Sequence, residues 1–239
     1  MESTEEKPAG QEWQWCLVGN IVGEHKYGET DEIPATSCVA VSLSLIHICM
    51  IFRNSVEPAF CVTFEADITR FKRVVKEQGV SFTLAMVYAV CKCANDIDAF
   101  RYRFVDGQIV LFDKIDTAFT YLNQETELFK VVNVPMIDDL KEYCEFAETI
   151  AKEQKEYFTG PLGNDVFQCS PMPWVTYTHI SHTNSGKKDN ATPLFDWGKF
   201  YEKNGKIVIP ISVQAHHSFV DGIHIGKFVD KLQRFFDRC

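Results

Sequence analysis

The run KIVIPISVQAHHSFVDGIHIGKF, residues 206–228, constrains the fold more than any other part of the chain. Its first half alternates as a strand. Ile207, Ile209, Ile211, Val213, Ala215 and His217 are therefore expected on one face, and Ser212, Gln214 and His216 on the other. Asp221 and Gly222 then open an amphipathic helix that runs to about Phe236. Adjacent histidines on opposite faces of a strand cannot chelate one metal ion together, so no metal site is expected here. His217 is the ring carried toward the apolar face, where the strand stops. Taken alone, it reads either as a satisfied core histidine followed by a helix-capping Asp221, or as a general base active near neutrality.

Upstream, AFCVTFEADIT alternates as a strand, and Asp67 or Thr69 can cap a helix that runs through Gln78 and ends at Gly79. Ser81 is placed to cap a long apolar helix, FTLAMVYAVCKCANDI. Asp106-Gly107 lies between two alternating runs and predicts a hairpin. DDLKEYCEFAETIAKEQKEYF has helical spacing and meets a Gly-Pro stop at Gly160-Pro161. WVTYTHI reads as a strand and HTNSGKKDNATP as a polar surface loop. Strands and helices mix without strict alternation, which predicts an α/β fold, a two-layer sandwich with a mixed β-sheet.

With 239 residues and 46% apolar content, the chain can bury one large core, with or without an appendage. Its net charge of -9, with no dense Lys/Arg run, argues against nucleic acid or an anionic membrane as a partner. The nine cysteines contain no Cys-x-x-Cys pair and read as reduced core residues of a cytoplasmic protein. CVAVSLSLIHICMIF is too short to span a bilayer comfortably, and no signal peptide is assigned.

Four stretches occur together in order: FTYLNQETELF (119–129), SPMPWVTY (170–177), WGKFYEKNGKIVIPISVQ (197–214) and HHSFVDG (216–222). This set resembles the chloramphenicol acetyltransferase family, whose signature is His-His-x-x-x-Asp-Gly, and covers nearly all of residues 50–239. The resemblance implies a CoA-dependent acyltransferase fold and a homotrimer with active sites at subunit interfaces. It implies acetyl-CoA as co-substrate and a small hydroxyl compound, chloramphenicol or similar, as acceptor. His217 would be the base, and the Ser170 hydroxyl would donate to the oxyanion of the tetrahedral intermediate. Asp221 would support the site by pairing with an arginine near the N-terminus, and His216 would be structural. Acceptor contacts are expected from Phe52, Phe60 and Phe129, while Lys199 and Phe200 fall where such proteins approach CoA. A thiol route through Cys169 lacks an adjacent base.

The chain departs from the family pattern in two places. Asp196 stands where threonine is usual. Leu45 falls where the arginine partner of Asp221 would be, and no arginine precedes Arg53. On that reading Asp221 is a buried, unpaired charge, which costs about 3–5 kcal/mol. LSLIHI (43–48) matches the translation of a transposon end sequence used in preparing DNA libraries. Residues 1–48 are accordingly expected to be a foreign, poorly ordered segment, and 49–239 an acetyltransferase-like domain lacking its usual first segment. The competing reading of VSLSLI is a genuine apolar strand.

Overall fold

The computed structural model describes residues 43–159, 163–183, 187 and 189–239, with side chains from residue 48 onward, and the backbone of 17–18 and 21–22. In chain order the elements are β1 (Leu17–Val18), β2 (Ile21–Val22), α1 (Leu43–Phe52), β3 (Ala59–Asp67), α2 (Thr69–Gln78), α3 (Phe82–Asn95), β4 (Tyr102–Val105) and β5 (Gln108–Leu111). They continue with β6 (Asp116–Leu122), β7 (Phe129–Val134), α4 (Leu140–Glu153), β8 (Val166–Cys169), β9 (Leu194–Trp197), β10 (Tyr201–Lys203), β11 (Lys206–His216) and α5 (Gly222–Arg238).

The long strand β11 organises the main sheet. β3 lies antiparallel along one of its edges from Val208–Asp67 to His216–Ala59, and β10 and β9 share the other. From β9 the sheet continues through β8 and β6 to β7. The β9–β8 and β8–β6 pairs are parallel and the rest antiparallel, so the sheet is mixed as expected. Pro210 sits inside this central strand without a ladder N–H. It does so where β10 and β9 part, and its carbonyl accepts the Gly198 N–H there (3.0 Å). A side chain at Gly198 would meet the Val175 carbonyl at 2.8 Å and Pro210 at 2.9 Å, so this position needs glycine for close approach.

The helices form the second layer. α3 is buried on nearly every side, from Leu84 to Ala94, because it lies against the sheet with α2, α4 and α5 around it. Phe71, Phe100, Phe195, Phe228 and Phe236 fill the space beneath. This is the two-layer sandwich that the pattern of elements predicts.

Several local expectations hold. Gly79 ends α2 in the left-handed region (φ 71), and Asp106 (φ 49) and Gly107 (φ 80) make the tight turn between β4 and β5. Others are corrected. Residues 174–180 form no strand. Pro171 and Pro173 interrupt the approach, and the neighbouring edges of β9 are already taken by β8 and β11, leaving among the described residues a single backbone–backbone bond, from Lys199 N–H to the Val175 carbonyl (2.7 Å). α4 ends at Glu153, before the Gly-Pro stop, because the following residues turn to serve β7. Gln154 donates to the Val131 carbonyl (2.9 Å) and the Tyr157 carbonyl accepts the Val131 N–H (2.9 Å). Gly160 and Pro161 lie outside the described residues. Ser81 occupies the N-cap of α3 in extended geometry but makes no side-chain capping bond. Residues 43–52 are helical, which overturns the strand reading for the LSLI part of VSLSLI, while Val41 and Ser42 lie outside the described residues. A short run that is apolar at nearly every position carries no period to distinguish the two.

Candidate active site

β11 delivers His217 to a tight turn. The His216 carbonyl accepts the Phe219 and Val220 N–H groups (3.1 and 3.0 Å), and His216 Nδ1 accepts the Ser218 N–H (3.1 Å). His216 is buried and fastens the turn, whereas His217 is half-buried, its N–H donating to the Pro58 carbonyl (2.8 Å). The His217 imidazole stacks on Phe52, ring centres 3.8 Å apart and 12° from parallel, with Phe60 tilted against it at 4.5 Å. Its Nδ1 is buried with no hydrogen-bond partner among the described residues. Two of the three expected acceptor aromatics thus flank the expected base. The third does not join them: Phe129 opens β7 at the far side of the sheet, half exposed and edge-on to Phe158 (6.3 Å).

Asp221 is not a buried, unpaired charge, which corrects that expectation. It is partly exposed and is the N-cap of α5, where its carboxylate accepts the Gly222 N–H (2.7 Å) and His224 Nδ1 returns a bond from the Asp221 N–H (3.0 Å). Arg53 lies elsewhere, over the Phe104 ring (4.5 Å), donating to the Gly107 carbonyl (3.3 Å) and 3.9 Å from Asp189. Lys199 is exposed, and Phe200 packs edge-on against Phe82 (5.7 Å) with the Lys72 ammonium over its face (4.0 Å). Cys169 is fully buried, its thiol 3.7 Å from Cys91 and pushed well above its ordinary proton affinity by burial, which leaves it inert as a nucleophile.

The sheet face that turns away from the helices carries a polar band. Thr63, Ser212 and Asp196 are successive partners across β3, β11 and β9, and the Thr63 and Ser212 hydroxyls bond at 2.5 Å. One step beyond the β8–β9 register, Ser170 falls beside Asp196, its N–H donating to the Phe195 carbonyl (3.0 Å). Ser170 is therefore level with Ser212, while His217 lies past the end of β11. Two strand spacings and the remaining rise separate the two by roughly 15–20 Å within one chain.

Asp196 is 1% exposed, and one of its carboxylate oxygens has no partner among the described residues. The other lies 2.5 Å from Nε2 of His182, close enough for an ion pair but not aligned as a hydrogen bond. Burial raises the proton affinity of Asp196, and the Asp196 carboxylate raises that of His182. Gln214 Oε1 accepts the His182 N–H (3.0 Å), and His182, Gln168, Gln214 and His216 border a cavity of about 70 Å³ on this face. No sequence signal announced His182. It lies in a stretch without secondary structure, and only the return of β9 brings its partner alongside.

Among the described residues no group of His, Cys, Asp and Glu is arranged to hold a metal ion, and no helix is long and apolar enough to cross a membrane.

Comparison with known proteins gives a consistent result. The family model described as chloramphenicol acetyltransferase matches residues 46–233. Chloramphenicol acetyltransferase 2 of Escherichia coli is 27% identical over 191 residues, 78% of this chain and 90% of that protein. Chloramphenicol acetyltransferase 3 of Escherichia coli is 26% identical over 186 residues, 76% of this chain and 87% of that protein. A solved chloramphenicol acetyltransferase superposes with a TM-score of 0.74 at 27% identity, covering 82% of this chain and 96% of its own. The cubic core of the pyruvate dehydrogenase multienzyme complex shares the fold alone, with a TM-score of 0.57 at 17% identity over 89% of this chain and 93% of its own.

Proposed function

The chain belongs to the chloramphenicol acetyltransferase family, and from that premise we propose that it transfers acetyl from acetyl-CoA to a hydroxyl of chloramphenicol or a similar small acceptor. His217 takes the hydroxyl proton as the oxygen attacks the thioester carbonyl. The Ser170 hydroxyl donates to the oxyanion of the tetrahedral intermediate, and His217 returns the proton to the departing CoA sulfur. His216 and Asp221 hold the turn that carries the base. Phe52 and Phe60 keep one side of the imidazole dry, and Lys199 and Phe200 are assigned to the CoA side.

The observation that carries this reading is the His217 ring at the strand end, stacked on Phe52 with Phe60 tilted against it and its Nδ1 without a hydrogen-bond partner among the described residues. The separation of His217 from Ser170 within one chain supports a homotrimer in which the base of one copy meets the serine of the next. Exposed Leu128, Phe129, Phe158, Trp174 and Val175 supply apolar surface for such an interface. We place the protein in the cytoplasm, in keeping with its free cysteines.

CoA release from acetyl-CoA with chloramphenicol as acceptor tests the assignment. His217→Ala is expected to lose hydroxyl-dependent release, and Ser170→Ala to lower kcat about 10²-fold with little change in KM. Equal rates in wild type and His217→Ala would remove the base assignment. A second reading, a silent or altered-acceptor relative, is favoured by one observation, the buried Asp196 carboxylate beside Ser170. It predicts a folded protein that turns over another hydroxyl compound, or none.

A further inference from the structure

A carboxylate beside an oxyanion donor is an electrostatic contradiction. Asp196 and Ser170 are neighbours across adjacent strands on one face, which places the two side chains ~5 Å apart. An ionised Asp196 there would oppose the negative charge that Ser170 is assigned to stabilise. At that separation, with an effective dielectric near 20, the opposition is worth about two powers of ten in rate. A counter-charge is at hand: His182 Nε2 lies 2.5 Å from the carboxylate, and among the described residues it is the only cationic group within ion-pair distance of Asp196.

We propose that protonated His182 is a positioning residue for acetyl transfer, neutralising Asp196 so that Ser170 can serve the oxyanion, and that turnover depends on the charge of this pair. The inference rests on the acetyl-transfer reading above. The other titratable groups around the pair do not supply the charge. Cys61 from β3, Cys169 from β8 and Tyr177 from the segment after β8 are all shifted upward by burial, with Asp196 adding to each shift, so they stay neutral. His216 from β11 and Lys187 border the neighbouring cavity but make no ion pair with Asp196. The position is one where relatives are expected to carry threonine, which needs no counter-charge.

The sign follows from the direction of the shift. Carboxylate contact raises the proton affinity of His182, so the neutral pair persists below its elevated titration point and is lost as pH rises through it. The wild-type kcat is expected to fall as pH rises through the His182 titration point, which sets the alkaline limb of the profile.

Two measurements on the full chain test this. Proton NMR titration of the His182 ring should show it titrating above the ordinary imidazole range, and lower in Asp196→Asn. The same midpoint in both proteins would overturn the proposal. In parallel, kcat and KM for acetyl-CoA and chloramphenicol are followed against pH. His182→Ala is expected to lose roughly 10²-fold in kcat with a smaller change in KM. The double variant His182→Ala with Asp196→Thr should recover most of that loss and lack the alkaline limb. A double variant no faster than His182→Ala, or a wild-type rate unchanged through the alkaline range, would overturn it. An active enzyme with either result sinks this inference alone. Absence of CoA release from both wild type and double variant, with every hydroxyl acceptor tried, sinks the acetyl-transfer reading and this proposal with it.

Discussion

Asp221 illustrates how one side chain can be read two ways until its neighbours are known. The signature marks it as half of an ion pair, yet here its carboxylate caps α5 at the solvent edge and His224 closes the capping box. Asp221→Ala should therefore cost about 1 kcal/mol, the usual worth of an N-cap, and Asp221→Ser should restore most of it, both measurable by urea denaturation. A loss of 3 kcal/mol or more would reveal a buried ion pair instead. At this scale the sequence is most informative through its family resemblance. That resemblance points to His217, Phe52 and Phe60, and the fold brings the three into ring contact. The sequence is silent on His182, whose meaning comes wholly from Asp196, a residue in another element.

Strands and helices with a clear period were legible. β11, β3, α2, α5 and the Asp106-Gly107 hairpin follow from alternation, amphipathic spacing and turn residues. The misread segments are those where the deciding factor is not local. WVTYTHI has strand composition but runs beside β9, both of whose edges are taken by β8 and β11, and the final residues of the α4 stretch leave the helix to serve β7. The break between β10 and β9 is equally invisible in sequence, although two residues enforce it. Pro210 lacks the donor and Gly198 lets the Val175 carbonyl approach. Gly198→Ala is expected to lower stability by about 1–3 kcal/mol through that clash. It should also displace Lys199, whose N–H bonds the same carbonyl. A thermal melt reads the first effect, and an unchanged Tm would show that the segment 174–180 shifts freely.

Over the whole molecule, the two-layer architecture was predictable from the order of elements, but the distance between Ser170 and His217 was not, because it depends on sheet order. That distance makes the proposed trimer testable by mixing inactive subunits. If each site takes His217 from one copy and Ser170 from the next, co-refolded His217→Ala and Ser170→Ala chains should regain activity. Random assembly at equal amounts leaves roughly a quarter of the sites with both residues intact. No recovery in mixed trimers confirmed by mass would place both residues of a site in one chain. The contact between Phe52 and His217 bears on the molecule in a further way. Phe52 is the last residue of α1, so the phenyl face against the imidazole is held there by a helix that begins at Leu43. A stacked aromatic ring shifts the resonances of the protons above it by its ring current. The His217 ring signals therefore carry, in their displacement upfield, a continuous record of whether α1 is seated.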